Sequence, residues 1–302
     1  MIIETNNLTK MYGDKVGCDG ICLSVSEGQV FGFLGPNGAG KSTLVKMLVG
    51  LIFPSSGIAR VLGKPLGDME SRRRIGFLPE NFKYQDWLTG EQLLHFHSSL
   101  YGIPKTDVPR RIKNVLETVG LTGREQNKIK TYSRGMQQRI GLAAALLPDP
   151  DLLFLDEPTS ALDPIGRKEV RELILDLKSR GKTVFLNSHL LSEVELVCDT
   201  VAIIKSGRIA RITEISELQE CSILEVTLTE VTPAIQNALV ANGFKFTVHD
   251  TTIQVTLQSD TDVPLIAALI VNQGGQLYQL KRLTNSLESA FLDLTREGGQ
   301  NK

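Results

Sequence analysis

Gly35-Pro36-Asn37-Gly38-Ala39-Gly40-Lys41-Ser42-Thr43 is the stretch that decides the fold. It fits G-x-x-x-x-G-K-[ST], follows the apolar run Gln29 to Leu34, and opens the helix-periodic run Ser42 to Leu51. Glycines let the chain curl so that successive backbone N–H groups point inward. The helix behind them adds the partial positive charge of its N-terminus, which makes a nest for phosphate oxygens. Lys41 would reach the β- and γ-phosphates, Ser42 would offer its hydroxyl to Mg²⁺, and Thr43 would contact the α-phosphate. The competing reading is a glycine-rich turn without a ligand; a complete pattern between a strand and a helix favours ATP.

A nucleoside triphosphatase also needs carboxylates, and Leu152-Leu153-Phe154-Leu155-Asp156-Glu157 ends an apolar strand in two of them. Asp156 at the strand end would hold the Mg²⁺ shell, and Glu157 would orient and deprotonate the attacking water. Alone, the run reads equally well as a buried strand with a solvated acidic turn. The upstream loop makes it catalytic.

Composition limits the partners. The 302 residues carry 33 Lys plus Arg against 34 Asp plus Glu, so no field of one sign draws the chain onto nucleic acid, and none is expected as a partner. Cys18, Cys22, Cys198 and Cys221 form no CxxC pair, which suits free thiols in a reducing, cytoplasmic setting. Cys18 and Cys22, four apart in a strand, are expected on one buried face. Met1 to Lys10 lacks the basic start and apolar core of an export signal. Leu142 to Leu147 and Leu152 to Leu155 fall far short of the roughly 20 residues of a membrane-spanning helix. Any membrane role is expected to run through another chain.

Outward from the two motifs, further strands are expected at Arg74 to Leu78, Thr183 to Asn187 and Thr200 to Lys205. Helices are expected at Gly90 to Tyr101, Pro109 to Val119, Arg134 to Leu147 and Gly166 to Ser179. After about residue 215 the pattern becomes strand, helix, hairpin, helix, strand, in the β-α-β-β-α-β order of a ferredoxin-like unit. A last helix, Ser286 to Arg296, follows, with Asn285 and Glu288 as a capping box.

Between the two acidic and phosphate motifs stands Tyr132-Ser133-Arg134-Gly135-Met136-Gln137-Gln138-Arg139, which resembles the signature motif of ABC-transporter ATP-binding subunits. That resemblance implies an α/β P-loop nucleoside-triphosphatase core over residues 1–215. That core would include an antiparallel β subdomain and a helical subdomain at about 85–147, and a C-terminal α+β accessory domain over 216–302 would follow it. It implies that Ser133, Arg134 and Gly135 begin a helix whose N-terminus meets the ATP held by a second, identical subunit. Ser160-Ala161-Leu162-Asp163 matches the family's D-loop, with Asp163 linking the two sites. His189 matches the switch histidine that contacts the γ-phosphate and aligns Glu157. Tyr12 matches the aromatic that stacks on adenine; its other reading is an exposed loop aromatic. An integral-membrane permease is the implied partner, with the chain peripheral on the cytoplasmic face.

Two departures from the family stand out. Glu80 occupies the place of the usual Q-loop glutamine, so it can ligate Mg²⁺ or water but would be repelled by bare phosphate. Arg134 and Met136 replace commoner Gly and Gln, as in a branch that exports drugs, lipids or polysaccharides. Arg134 is either a cation beside the trans phosphate or a solvated residue at a helix start. Phe82, Tyr84 and Trp87 either line the permease groove or pack into the core. His95 and His97, two apart on a helix, project differently and are not read as a metal pair. A soluble ABC-type ATPase, for instance in cofactor assembly, is the alternative function.

Overall fold

Strands buried on both faces read as unbroken apolar runs, and Val30–Leu34, Leu152–Asp156 and Thr183–Asn187 are buried at every position. In the computed structural model, which describes residues 1–220, 222–257, 259, 261–284, 287 and 291, these three are neighbours in a six-stranded sheet. Its order is Arg208–Glu214, Thr200–Lys205, Val30–Leu34, Thr183–Asn187, Leu152–Asp156, Ile75–Leu78. The four pairings from Thr200–Lys205 to Ile75–Leu78 are parallel. Register aligns Phe31, Phe185 and Phe154 across three strands, with ring centroids 5.5 and 5.3 Å apart and all three rings fully buried.

A second, antiparallel sheet joins Lys15–Val25, Ile3–Tyr12, Ser56–Val61 and the short Lys64–Pro65. Helices Gly90–Leu100, Val108–Thr118 and Arg134–Leu146 form the helical part. The expected α/β core with antiparallel and helical parts is therefore the observed one. Most strands and helices sit within a residue or two of expectation. Pro164–Ser179 starts two residues early, because Pro164 suits the first helical turn and Asp163 caps it.

One expectation fails. Cys18 is buried but Cys22 is exposed. Gly20, with φ 62°, takes up the slack of a shifted strand register, so the buried face runs Cys18, Ile21, Leu23, Val25 and leaves Cys22 outward.

The chain divides into two compact units, Met1–Ile212 and a second beginning at Thr213. In the second, Ser222–Leu228, Pro233–Ala241, Phe246–His249, Thr252–Thr256, Asp262–Asn272 and Leu277–Thr284 follow the β-α-β-β-α-β order. They form one antiparallel sheet with Ser222–Leu228 between Thr252–Thr256 and Leu277–Thr284. Ile235, Leu239, Ile266 and Ile270 from its helices close a separate core over Leu224, Val226, Ile253 and Val255. The expected final helix, Ser286 to Arg296, and its Asn285 and Glu288 cap lie outside the described residues, apart from Leu287 and Phe291. No described helix is long and apolar enough to cross a membrane.

Phe185→Ala would empty the centre of the aromatic row, where Phe31, Phe33 and Phe154 all touch Phe185. A loss of about 3–5 kcal/mol is expected. Chemical denaturation followed by circular dichroism reads it as a lowered midpoint for the first unit; an unmoved midpoint would contradict this packing.

Candidate functional site

Three neighbouring strands end together, and their ends carry the polar residues. Register pairs Asp156 with Asn187, and Asn187 with Phe33 one residue before Leu34. The loop after Leu34, the Asp156-Glu157 pair and Asn187-Ser188-His189 thus converge at the carboxyl edge, where open parallel sheets place ligands.

The loop is shaped by close packing. Gly40 has φ 110°, and a Cβ there would stand 2.2 Å from the Gly17 carbonyl oxygen. The Cys18 thiol donates to the Gly40 carbonyl at 3.3 Å, and burial pushes that thiol up to about 12, so it acts as packing and not as a nucleophile. Lys41 opens the helix Lys41–Leu48 and is largely buried. Its ammonium donates to the carbonyls of Gly35 at 2.7 Å and Pro36 at 3.3 Å. Asn37, Gly38, Gly40, Lys41, Ser42 and Thr43 line a cleft of about 500 Å³, whereas Gly35, Pro36 and Ala39 are not part of that lining. Tyr12, Glu80, Glu157 and Asn187 complete that lining, together with Lys15, Val16 and Gly17. Tyr12 is half exposed at the rim, with the Lys10 ammonium 5.4 Å from its ring centre.

Behind the cleft the carboxylates are desolvated. Burial raises the Asp156 carboxyl above its ordinary value; the Asn187 amide counters this, the Glu80 charge adds to it, and Ser42 and Lys41 oppose it. The Asn187 amide donates to Asp156 Oδ1, and its own Oδ1 is buried without a hydrogen-bond partner. Ser42 hydroxyl, Asp156 carboxylate, the orphaned Asn187 oxygen and nearby Glu80 are all oxygen donors. Such a set fits a hard dication such as Mg²⁺.

Glu157 is held on every side. Its φ is 54°, in the left-handed region, and its N–H donates to the Asn187 carbonyl at 2.8 Å. Its carbonyl accepts from Ser160 Oγ at 3.1 Å. His189 Nδ1 lies 2.7 Å from Glu157 Oε2, with the imidazole more than half exposed. Burial raises the Glu157 carboxyl; the charge and hydrogen bond of His189 and the charge of Lys41 pull it back, and Asp156 adds a smaller upward push. A base so placed can take a proton from water at the cleft.

The signature residues stand elsewhere. Ser133 is exposed and caps Arg134–Leu146, accepting from the Met136 N–H at 3.2 Å. Arg134 is exposed, and Gly135 packs against Ala161 and Leu162. Asp163 caps its own helix by accepting from the Gly166 N–H at 2.8 Å. A separate cleft of about 650 Å³ runs between Arg134, Gln137, Gln138 and Ser160 to Asp163, and Glu80 borders both clefts. Within one chain, then, Ser133, Arg134, Gly135 and Asp163 do not line the cleft of Lys41.

Sequence reasoning missed Asn187, Gln138 and the Lys15 to Gly17 wall. Asn187 carried a signal, a lone amide ending an otherwise apolar strand. Gln138 carried none beyond its place in the signature run. Of the aromatic trio, Phe82 and Tyr84 pack on each other at 4.9 Å while Trp87 is exposed. His97 packs edge-on against Tyr84, and burial lowers its pKa.

Residues 18–160 match the family described as ABC transporter. The chain is 37% identical over 305 residues to the bacitracin transport ATP-binding protein of Bacillus licheniformis, covering 98% of both chains. It is 34% identical over 305 residues to the linearmycin resistance ATP-binding protein of Bacillus subtilis, covering 97% of this chain and 98% of that one. A dimeric post-hydrolysis structure of an ATP-binding cassette with ADP and Pi superposes with a TM-score of 0.66 at 25% identity, over 70% of this chain and 98% of that one.

Because a side chain at Gly40 collides with the Gly17 carbonyl, Gly40→Ala is expected to distort the nest and weaken ATP binding about tenfold or more. Titration with a fluorescent ATP analogue measures it; an unchanged Kd would contradict the described loop.

Proposed function

The chain belongs to the ABC transporter family of ATP-binding proteins, and we propose that it is the hydrolysing subunit of an exporter. Two copies would close head-to-tail on two ATP molecules, driving a separate membrane permease from its cytoplasmic face. The family hydrolyses ATP, and full-length likeness to a bacitracin transport protein and a linearmycin resistance protein supports the export direction. One observation carries the head-to-tail reading: Ser133 and Gly135 present a capped helix N-terminus on an exposed surface, apart from the cleft that holds Lys41 and Ser42 in the same chain. A second copy supplies what each cleft lacks.

The geometry of the cleft and the family resemblance together support the residue roles. Backbone N–H groups of Gly38 to Lys41 and the following helix hold the phosphates, and the Lys41 ammonium exchanges the Gly35 and Pro36 carbonyls for phosphate oxygens. Ser42 and Asp156, with Glu80 beside them, would hold Mg²⁺, which when bound would supply charge neutralisation for the phosphates. A cation held there would offset the charge of Glu80, whose carboxylate would otherwise repel phosphate. Tyr12 stacks on adenine at the rim. Glu157 accepts the proton of the attacking water, and His189 fixes its carboxylate and reaches the γ-phosphate. Ser133, Arg134 and Gly135 meet the γ-phosphate of the other copy, and Asp163 lies where the two copies exchange that information.

Glu157→Gln keeps shape but cannot accept a proton. ATP affinity is expected to stay near the parent while turnover falls about 100-fold or more. Lys41→Ala should instead weaken ATP binding itself; equal turnover in Glu157→Gln and parent would refute the assigned base. The pH profile supplies an independent check. Burial raises the Glu157 carboxyl above its ordinary 4.5, and a base works only when ionised, so turnover should fall with decreasing pH while the medium is still above 4.5. A kcat/KM profile that stays flat down to that value would contradict it.

A further inference from the structure

We propose that Gln138 is a positioning residue that ties the phosphate contact of the Arg134–Leu146 helix to the alignment of Glu157 in its own chain. The inference rests on reading Glu157 as the base and Ser133 as a contact to the other copy's ATP.

Gln138 is 5% exposed, and its Nε2 donates to the Pro158 carbonyl at 2.9 Å and to the Glu157 carbonyl at 3.4 Å. Both acceptors belong to the turn that carries the catalytic carboxylate. That turn is conformationally demanding, since Glu157 sits at φ 54°, where residues with side chains are held only by their surroundings. A buried amide on two consecutive carbonyls is such a restraint, and losing it would leave those carbonyls without that donor in a buried place. The other holds on Glu157 come from Asn187, Ser160 and His189, none of which lies on the signature helix.

Gln138 lies five residues after Ser133 on one continuous helix, about 7.5 Å along its axis. The next residue, Arg139, donates to the Val119 carbonyl at 2.9 Å and pairs with Glu169, so the helix is braced from two sides. A shift of that helix when Ser133 engages phosphate therefore reaches the Glu157 turn directly. The phosphate felt by Ser133 is held by the other copy, whereas the Glu157 so aligned serves its own. Gln138 thus makes hydrolysis at one ATP responsive to occupancy of the other.

The test compares the full chain with Gln138→Met, which keeps length and helix preference but has no donor, and with Gln138→Leu. ATP binding is expected within about twofold of the parent, kcat about tenfold lower, and the Hill coefficient for ATP drawn from above one toward one. An unchanged kcat and Hill coefficient would overturn the proposal. Loss of ATP binding along with turnover in both variants would also overturn it, making Gln138 a packing residue. Glu157→Gln in the same assay separates the two levels. Normal turnover there would sink the reading of Glu157 and this inference with it, whereas abolished turnover there beside a normal Gln138→Met would sink the Gln138 inference alone.

Discussion

The hydrogen bond from the Asn187 amide to Asp156 joins two buried strands at the level where both turn polar, and the active edge depends on it. Below that level the strands are apolar on both faces, and the packed rings of Phe31, Phe185 and Phe154 keep them in register. Above it the chain turns back in three loops, each carrying one part of the chemistry. Because side chains in a strand alternate with a period of two, a slip of one residue would point Asp156 to the wrong face. The packing of the core is therefore what aims the carboxylates, and the loops need only complete the arrangement.

Charge balance explains why that edge needs ligands of opposite sign. Glu80, Asp156 and Glu157 gather near the Lys41 ammonium, and burial already lifts the two carboxyls of Asp156 and Glu157. A triphosphate adds more negative charge to the same place. Proposed Mg²⁺, the loop N–H groups and the helix N-terminus are the compensating terms. Glu80 in place of an amide makes this balance more dependent on the cation.

Much of this was legible in the chain. The Gly35 to Thr43 loop and the Asp156-Glu157 pair could be read because each combines a local pattern with a strand context, and both occupy the expected strand ends. The β-α-β-β-α-β order of the second unit followed from hydrophobic periodicity alone. Gln138 was not legible and Asn187 signalled itself only as a lone amide ending an apolar strand, since their roles depend on partners 20 and 31 residues away that only the fold brings near. Cys22 was misplaced because a glycine in the left-handed region reverses strand alternation, and periodicity counting assumes regular backbone. Asp163 was read for its part between subunits, yet within the chain it caps a helix, a role its position just before Pro164 signals.

In the proposed mechanism one chain is half of a catalytic unit. Sedimentation velocity of the full-length Glu157→Gln chain, with and without ATP and Mg²⁺, tests it most directly. A monomer that becomes a dimer with ATP is expected, with a return to monomer when Ser133→Glu places a negative charge against the trans phosphate. A chain that stays monomeric with ATP bound, or a dimer indifferent to Ser133→Glu, would contradict it.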